Sequence, residues 1–386
     1  MQNNNLKSQK ICKNCVMDIT DTDIIFDKNG ICDHCNLFYF RDLENWSQAI
    51  SGKKQIELEN EVRLIKDSKN NSEYDCLIGI SGGCDSSYLL HYLVKECGLN
   101  PLCLHIDGGW NTKGAVNNIR NLIAKLNVDL IVKVVDWEEM QSLQLAFLKS
   151  GVSHLDTPQD HAFFAYLHQY AKKFGIKRII SGGNLSTEAV CVPLKWMYYT
   201  SDVAQLNDIE KKFCKKKLVE FPKSSVFHRK LYLPYVRGIK LSYPLNQIRY
   251  IKSDAEIFLQ ENYDFEIFQE KHYESSFTKF YEAIMLPQRF GFDTRKITYS
   301  SKILTGQMKR STALKRLSTP ALSPEEEYKL ESFIAVKLGI SNKTMNDFKT
   351  QKIKLFTDYK NHSNFFNIGA KFSKWIPGVD SSGAKR

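Results

Sequence analysis

The chain has 386 residues, 42% of them hydrophobic and 25% charged, with a formal net charge of +11. That length allows one large domain or two to three smaller cores, and the composition is that of an ordinary globular protein. No run approaches the roughly 18 apolar residues of a membrane span, and MQNNNLKSQK lacks the apolar centre of a secretory signal, so no membrane contact and a cytoplasmic location are expected.

Ten cysteines in that compartment argue against a disulfide framework. Four are grouped at the start of the chain, as 12-CKNC-15, sixteen intervening residues and 32-CDHC-35. Two CxxC pairs at this spacing suit a tetrahedral metal, because each pair spans one edge of the tetrahedron. Cys12, Cys15, Cys32 and Cys35 are therefore expected to hold Zn²⁺, with an iron–sulfur cluster or redox dithiols as alternatives. His34, lying between two of them, is expected to be exposed and not ligating. A segment of this size buries little apolar surface, so metal would supply the missing folding free energy.

A charged helical linker is predicted over 46–68. Strands follow at 75–80, 101–106, 130–135 and 177–182, and helices between and around them at 85–97, 113–127, 138–149 and 158–174. Strands about 25 residues apart with a helix between each pair predict a parallel sheet. From about residue 220 the pattern is mostly helical, with one well-marked helix start: Ser323 as N-cap, Pro324 at N1 and Glu326 at N3. The expected organisation is a ribbon over 1–45, an α/β domain over 46–218 and a mostly helical region over 219–386, ending in a loose tail at 380–386. Basic pieces such as KKFCKKK (211–217) and QMKRSTALKR (307–316) are explained by solvated helix faces or an anionic small substrate, and nucleic acid is not the expected partner.

The first strand, DCLIGI, runs into SGGCDSS and then directly into a helix. Strand, glycine turn and helix N-terminus together present free N–H groups and a positive dipole end to an anion. Without GxxxxGK[ST] or GxGxxG the loop is neither a Walker A motif nor a dinucleotide fingerprint. A helix cap beside a plain turn is the structural alternative. Two more polar glycine loops lie at predicted strand ends, HIDGGWNT at 105–112 and SGGNLSTE at 181–188. In HLDTPQDHAFFA (154–165), Thr157, Pro158 and Asp160 read as N-cap, N1 and N3, while Gln159, Asp160 and His161 are candidates for an acceptor pocket.

SGGCDSS resembles the SGGxDS motif of the PP-loop ATP pyrophosphatases, which cut ATP between the α and β phosphates and adenylate a substrate oxygen. The ordered set of CxxC…CxxC, SGGCDSS, HIDGGWN, TPQDHAFFA, SGGN and 286-LPQRFGFDTRK-296 resembles the N-acetyl sugar amidotransferases, the WbpG-like enzymes of surface polysaccharide biosynthesis. The resemblance implies an adenine nucleotide alpha-hydrolase-like parallel sheet behind a zinc ribbon. It implies ATP and Mg²⁺, with Ser81, Gly82, Gly83, Asp85, Ser86 and Ser87 around the pyrophosphate, and Asp85 and Ser86 nearest the chemistry. Asp107 is expected near the adenosine, Gly182, Gly183 and Asn184 on nucleotide or substrate, and Glu188 on substrate or metal.

The same resemblance implies a nucleotide-linked N-acetyl sugar whose acetamido group becomes an acetamidino group, for lipopolysaccharide O-antigen or flagellar glycan. No glutaminase nucleophile is evident, so glutamine hydrolysis is expected on another polypeptide; the resemblance implies a glutaminase subunit with a cyclase-like ammonia-channel subunit. Arg289, Asp293, Arg295 and Lys296 are candidates for holding the anionic acceptor, or form a solvated helix end. Two other readings compete: a tRNA thiolation enzyme, in which Cys84 and Cys191 meet across the strand ends, and a zinc-ribbon scaffold that binds nucleotide without catalysis.

Overall fold

A computed structural model describes residues 10–69, 72–364 and 366. The tail expected at 380–386 lies outside the described residues. The chain opens with the ribbon, whose second cysteine pair leads into α1 (Asp33–Leu37), a π-helical turn (Phe38–Asp42) and α2 (Leu43–Ile50). Next comes α3 (Gln55–Asp67). The single helical linker expected over 46–68 is thus two helices, broken where Gly52 takes φ 74°. That left-handed conformation suits glycine and ends α2.

The α/β half runs β1 (Cys76–Gly79), α4 (Cys84–Lys95), β2 (Pro101–Asp107), α5 (Lys113–Leu126), β3 (Leu130–Val134), α6 (Trp137–Ser150), α7 (Thr157–Lys173), β4 (Arg178–Ile180), α8 (Leu185–Glu188) and α9 (Val203–Phe213). All four predicted strands and the helices between them are present. A fifth strand, β5 (Lys240–Ser242), was not legible, because three residues with two exposed give no alternation to read. The sheet order is β3-β2-β1-β4-β5 and every pairing is parallel. Alternate residues of β1 serve opposite layers. Cys76 and Ile78 pack with α3, α4, α5 and a later helix over Lys252–Tyr263, whereas Leu77 packs with Leu102, Leu167 and Ile179 on the α7 side.

The remaining helices are α10 (Lys252–Tyr263), α11 (Ser276–Phe280), α12 (Arg295–Leu304), α13 (Arg310–Leu317), α14 (Pro324–Leu338) and α15 (Asn342–Thr350), with π-helical stretches at His228–Val236 and Tyr281–Phe290. The start of α14 has the expected form: Ser323 Oγ accepts from the Glu326 N–H at 3.3 Å, and Glu326 accepts from the Ser323 N–H at 2.9 Å. The start of α7 differs by one residue from expectation. Asp156, not Thr157, is its N-cap, and the Asp156 carboxylate is engaged by Gln159 and by Thr278 at 2.6 Å. One apolar cluster joins α6, α7 and α9 to α11, α14 and the 281–290 stretch, so the later helices share a core with the sheet half.

Because β2 and β4 flank β1, the chain reverses its winding direction between β1 and β4, and the loops after those strands open a crevice at their carboxyl ends. Two glycines make this possible. Gly82 has φ 82°, and a Cβ there would lie 2.5 Å from the Ala115 carbonyl oxygen. At Gly182 a Cβ would approach the Ser86 nitrogen to 3.2 Å. Asn118 on α5 braces the crevice from behind. It is 1% exposed, donates to Gly82 O and Glu266 O at 3.0 Å each, and accepts from the Glu266 N–H at 2.8 Å. Asn118→Ala should therefore lower stability by about 2–4 kcal/mol, since three buried bonds are lost and their partners stay desolvated. A fall in urea midpoint at unchanged slope is the expected observation, and an unchanged midpoint would contradict the brace.

Candidate active site at the carboxyl edge of the sheet

The loop after β1 faces a cavity of about 240 Å³ with Ser81, Gly83, Asp85 and Ser86. Gly82 turns away against Ala115, and Ser87 is fully buried behind the loop. Gly83 is the N-cap of α4 and supplies no side chain to its first N–H groups. Ser81 Oγ accepts from the Gly83 N–H at 3.2 Å and donates to Glu274 Oε1 at 3.0 Å. A carboxylate therefore already rests against this loop, as its donor chemistry favours.

Asp85 is the charged centre. Its Oδ2 lies 3.0 Å from Lys271 Nζ, and its Oδ1 accepts from Tyr250 OH at 2.5 Å. Burial pushes the carboxyl upward, but Lys271, Lys252 and the Tyr250 bond outweigh it and hold Asp85 well below the usual carboxylate range. Lys271 also reaches Glu188 Oε1 at 2.5 Å and Thr187 Oγ1 at 2.9 Å. Although burial opposes the ammonium, Asp85 and then Glu188 raise its pKa above the ordinary lysine value. The residue after it, His272, has φ 66°, a conformation costly for a side-chain-bearing residue. Nothing in the local sequence QEKHYES marked Lys271; only the fold brings it to the loop.

A larger cavity of about 720 Å³ adjoins the first, and Ser181, Glu188 and Lys271 line both. Gly183 and Asn184 line the larger one, and Gly182 the smaller. Asn184 caps α8 by accepting from the Thr187 N–H at 3.0 Å. Arg41, Lys54 and Arg295 contribute cationic side chains to the larger cavity. Of the four charged residues singled out near 286–296, Arg295 alone lines it. Arg289 donates to the carbonyls of Gly151 and Lys352, Asp293 pairs with Arg295 at 2.7 Å, and Lys296 pairs with Asp18 at 2.6 Å.

Other candidates lie apart from both cavities. Asp107 caps its own turn, accepting from the Gly109 N–H at 2.7 Å and Asn111 Nδ2 at 3.0 Å. Gln159 is engaged by Asp156 and Ser275. Asp160 lies on the same turn of α7, near enough for its charge to help raise the Asp156 carboxyl. The His161 ring is buried, with Nδ1 2.6 Å from Thr200 O and Nε2 accepting from the Ser224 N–H at 3.0 Å. Burial, then Arg229, lowers its pKa to about 4. Cys84, by contrast, borders the smaller cavity, but its Sγ lies 3.7 Å from Tyr250 OH, and burial followed by the Asp85 charge pushes its thiol up to about 12.

In the ribbon the sulfurs of Cys12, Cys15, Cys32 and Cys35 are buried and lie within 4.8 Å of one another. Sγ separations are 3.8 Å for Cys12–Cys35, 3.6 Å for Cys15–Cys32 and 3.6 Å for Cys32–Cys35. A tetrahedron with metal–sulfur bonds of about 2.3 Å has edges of about 3.8 Å, so the four fit one metal ion. The backbone N–H groups of Cys32 and Cys15 point at Cys12 Sγ, at 3.2 and 3.5 Å, and favour a thiolate there. His34, expected at the surface, is instead buried and bonded through Nε2 to Asp21 at 2.8 Å, and the ribbon's apolar residues pack against Trp196, Ile297 and Leu304. No described helix is long and apolar enough to cross a membrane.

Residues 274–373 match the family model described as LPS biosynthesis protein WbpG-like, C-terminal domain. A 135-residue stretch is 27% identical to an uncharacterized protein of Methanocaldococcus jannaschii, covering 34% of this chain and 46% of that one. A 154-residue stretch is 27% identical to a glutamine-hydrolyzing GMP synthase of Elusimicrobium minutum, covering 38% and 29%. The match thus spans less than half the length of either curated relative. Among solved structures, an NH3-dependent NAD synthetase of Campylobacter jejuni is 21% identical with a TM-score of 0.27, covering 34% of this chain and 58% of that one.

The Asp85 environment has a pH signature. A carboxyl held below its unfolded value contributes stability above that value and loses it as pH falls through the folded one. The stability difference between the native chain and Asp85→Asn should be constant at neutral pH and shrink below about pH 4, near the ordinary aspartate value. Denaturation at a series of pH values measures it, and a gap undiminished at acid pH would contradict the ion pair.

Proposed function

We propose that the chain is a WbpG-like PP-loop protein, an ATP-using amidotransferase acting on a nucleotide-linked N-acetyl sugar. The observation that carries this reading is the junction at Lys271. One ammonium, bonded to Asp85 of the loop and to Glu188, lies where the loop cavity meets a second cavity large enough for a separate acceptor. Two-substrate chemistry needs such a junction, because the reacting atoms must be held about 3 Å apart.

In this reading the phosphates lie on Ser81, Gly83 and Ser86 at the N-terminus of α4, and the apolar side of the smaller cavity, with Phe163 and Phe164, takes the base. The acceptor enters the larger cavity with its diphosphate toward Arg41 and Arg295. The acetamido oxygen attacks the α-phosphorus, the α–β bond breaks and pyrophosphate leaves. Ammonia then attacks the activated carbon, AMP departs with the former amide oxygen, and an amidine remains. Lys271 stabilises charge developing on the α-phosphoryl group, and Asp85 and Glu188 hold its ammonium in place. Mg²⁺ would add charge neutralisation, with Asp85 and Glu188 as the carboxylates at hand; the ribbon metal is taken to be Zn²⁺.

The amide is unreactive until activated, so no thiolate is required. The high pKa of Cys84, with Cys191 also raised by burial and placed beside Arg41, disfavours the sulfur-transfer reading. Ammonia from a separate glutaminase, through a cyclase-like ammonia-channel subunit, completes the proposal. Glutamine-dependent turnover is expected only when such a partner is added, and robust glutamine use by this chain alone would contradict it.

Incubation with ATP, Mg²⁺, ammonia and a panel of nucleotide-linked acetamido sugars should yield a product lighter by about one mass unit, together with AMP and pyrophosphate. Lys271→Met and Asp85→Ala should each lower pyrophosphate release by about a hundredfold, about 3 kcal/mol of barrier. No mass shift across the panel, alongside thiolated tRNA, would replace this reading with thiolation. Pyrophosphate release unaffected by Lys271→Met would move the reaction centre elsewhere.

A further inference from the structure

We infer that the metal in the four-cysteine ribbon sets the walls of the larger cavity and leaves the ATP loop untouched. This rests on the proposed reading only in taking that cavity as the acceptor site. Three walls of the cavity are tied to the ribbon by separate contacts. The first is the ribbon's own continuation: six residues after Cys35 the unbroken helical run reaches Arg41, and Arg41, Asp42 and Asn45 line the cavity.

The second wall is α12, which brings Arg295, Ile297 and Thr298 to the cavity. Its neighbouring residues are bound to the first cysteine knuckle. The Val16 N–H donates to Ser300 Oγ at 3.2 Å, and Lys296 pairs with the buried Asp18 at 2.6 Å. From α13, Arg310 donates to the carbonyls of Cys12 at 2.7 Å and Cys15 at 2.9 Å. The guanidinium grips the backbone of the knuckle itself, so its partners are correctly spaced only when the knuckle is folded.

The third wall is the segment after α8, with Val190, Cys191 and Met197 on the cavity. Trp196 Nε1 donates to Thr20 O at 3.1 Å, and Lys195 pairs with Asp23 at 2.8 Å. By contrast, no residue of 10–50 lines the smaller cavity. The ribbon also has little interior of its own. Around the four sulfurs its core is completed by Trp196, Ile297 and Leu304, which come from these same walls. Metal is what holds such a segment folded, so its loss frees three walls together.

Hydrogen exchange of the full chain, with the metal removed by chelation and its loss verified by elemental analysis, tests this. Exchange should accelerate at least tenfold in 38–50, 190–197 and 295–304. It should be unchanged in 84–95, where the ATP concentration that gives half-maximal protection should move less than twofold. Lys296→Met and Arg310→Gln, with metal retained, should reproduce the faster exchange at 295–304 alone. Unchanged exchange at 295–304 in the metal-free chain, or loss of ATP protection in 84–95, would overturn the inference. If the walls loosen as expected and no sugar nucleotide is ever turned over, the inference stands and the acceptor reading falls.

Discussion

A largely enclosed ammonium between two carboxylates organises the crevice. Lys271 comes from a segment almost two hundred residues beyond the glycine loop, and its contacts with Asp85 and Glu188 join the strand-end loops of β1 and β4 into one surface. The arrangement is costly to break from any side. Removing the lysine leaves Asp85 with only Tyr250 and the charge of Lys252 for compensation, and removing either carboxylate leaves a desolvated cation less well paired. The left-handed backbone at His272 is tolerated because packing and pairing on both sides determine it.

The same constraint explains the glycines. For Lys271 to bridge Asp85 and Glu188, the loop after β4 must approach α4 closely, and a Cβ at Gly182 would intrude on the Ser86 nitrogen. Gly82 makes the matching concession to α5. Backbone freedom at two positions thus permits an ion pair at a third, and Asn118 locks the result from behind.

The α/β core was legible because its strands are short apolar runs at regular spacing with amphipathic helices between them. β5 was not, since an edge strand of three residues carries no period. SGGCDSS announced a loop because glycine and hydroxyl residues at a strand end have few other uses, and Asp85 and Glu188 could be named from that context. Lys271 could not, because nothing local distinguishes it from a solvated lysine and its significance is entirely tertiary. The opposite happened in HLDTPQDHAFFA, where polarity suggested a pocket. There the fold spends His161 on backbone atoms of 200 and 224 and turns Gln159 toward Asp156. A polar cluster and a bracing network look alike until the partners are known, and those partners lie far along the chain. His34 misled for a different reason: its partner Asp21 lies in the same ribbon, and a small ribbon read by itself shows no inside in which to bury the pair.

Glu274 gives the loop one more property. Its carboxylate accepts from Ser81 and sits where a side chain at Gly83 would collide with it, so one donor of the cradle is already occupied. An incoming anion at that donor makes an exchange, and its gain is the difference between two charge-assisted hydrogen bonds. Entry is correspondingly less favourable than into an open nest of donors, and departure is easier, because the glutamate returns to a hydroxyl that never waits unpaired. For any anion the loop takes, a resident competitor shortens the dwell time.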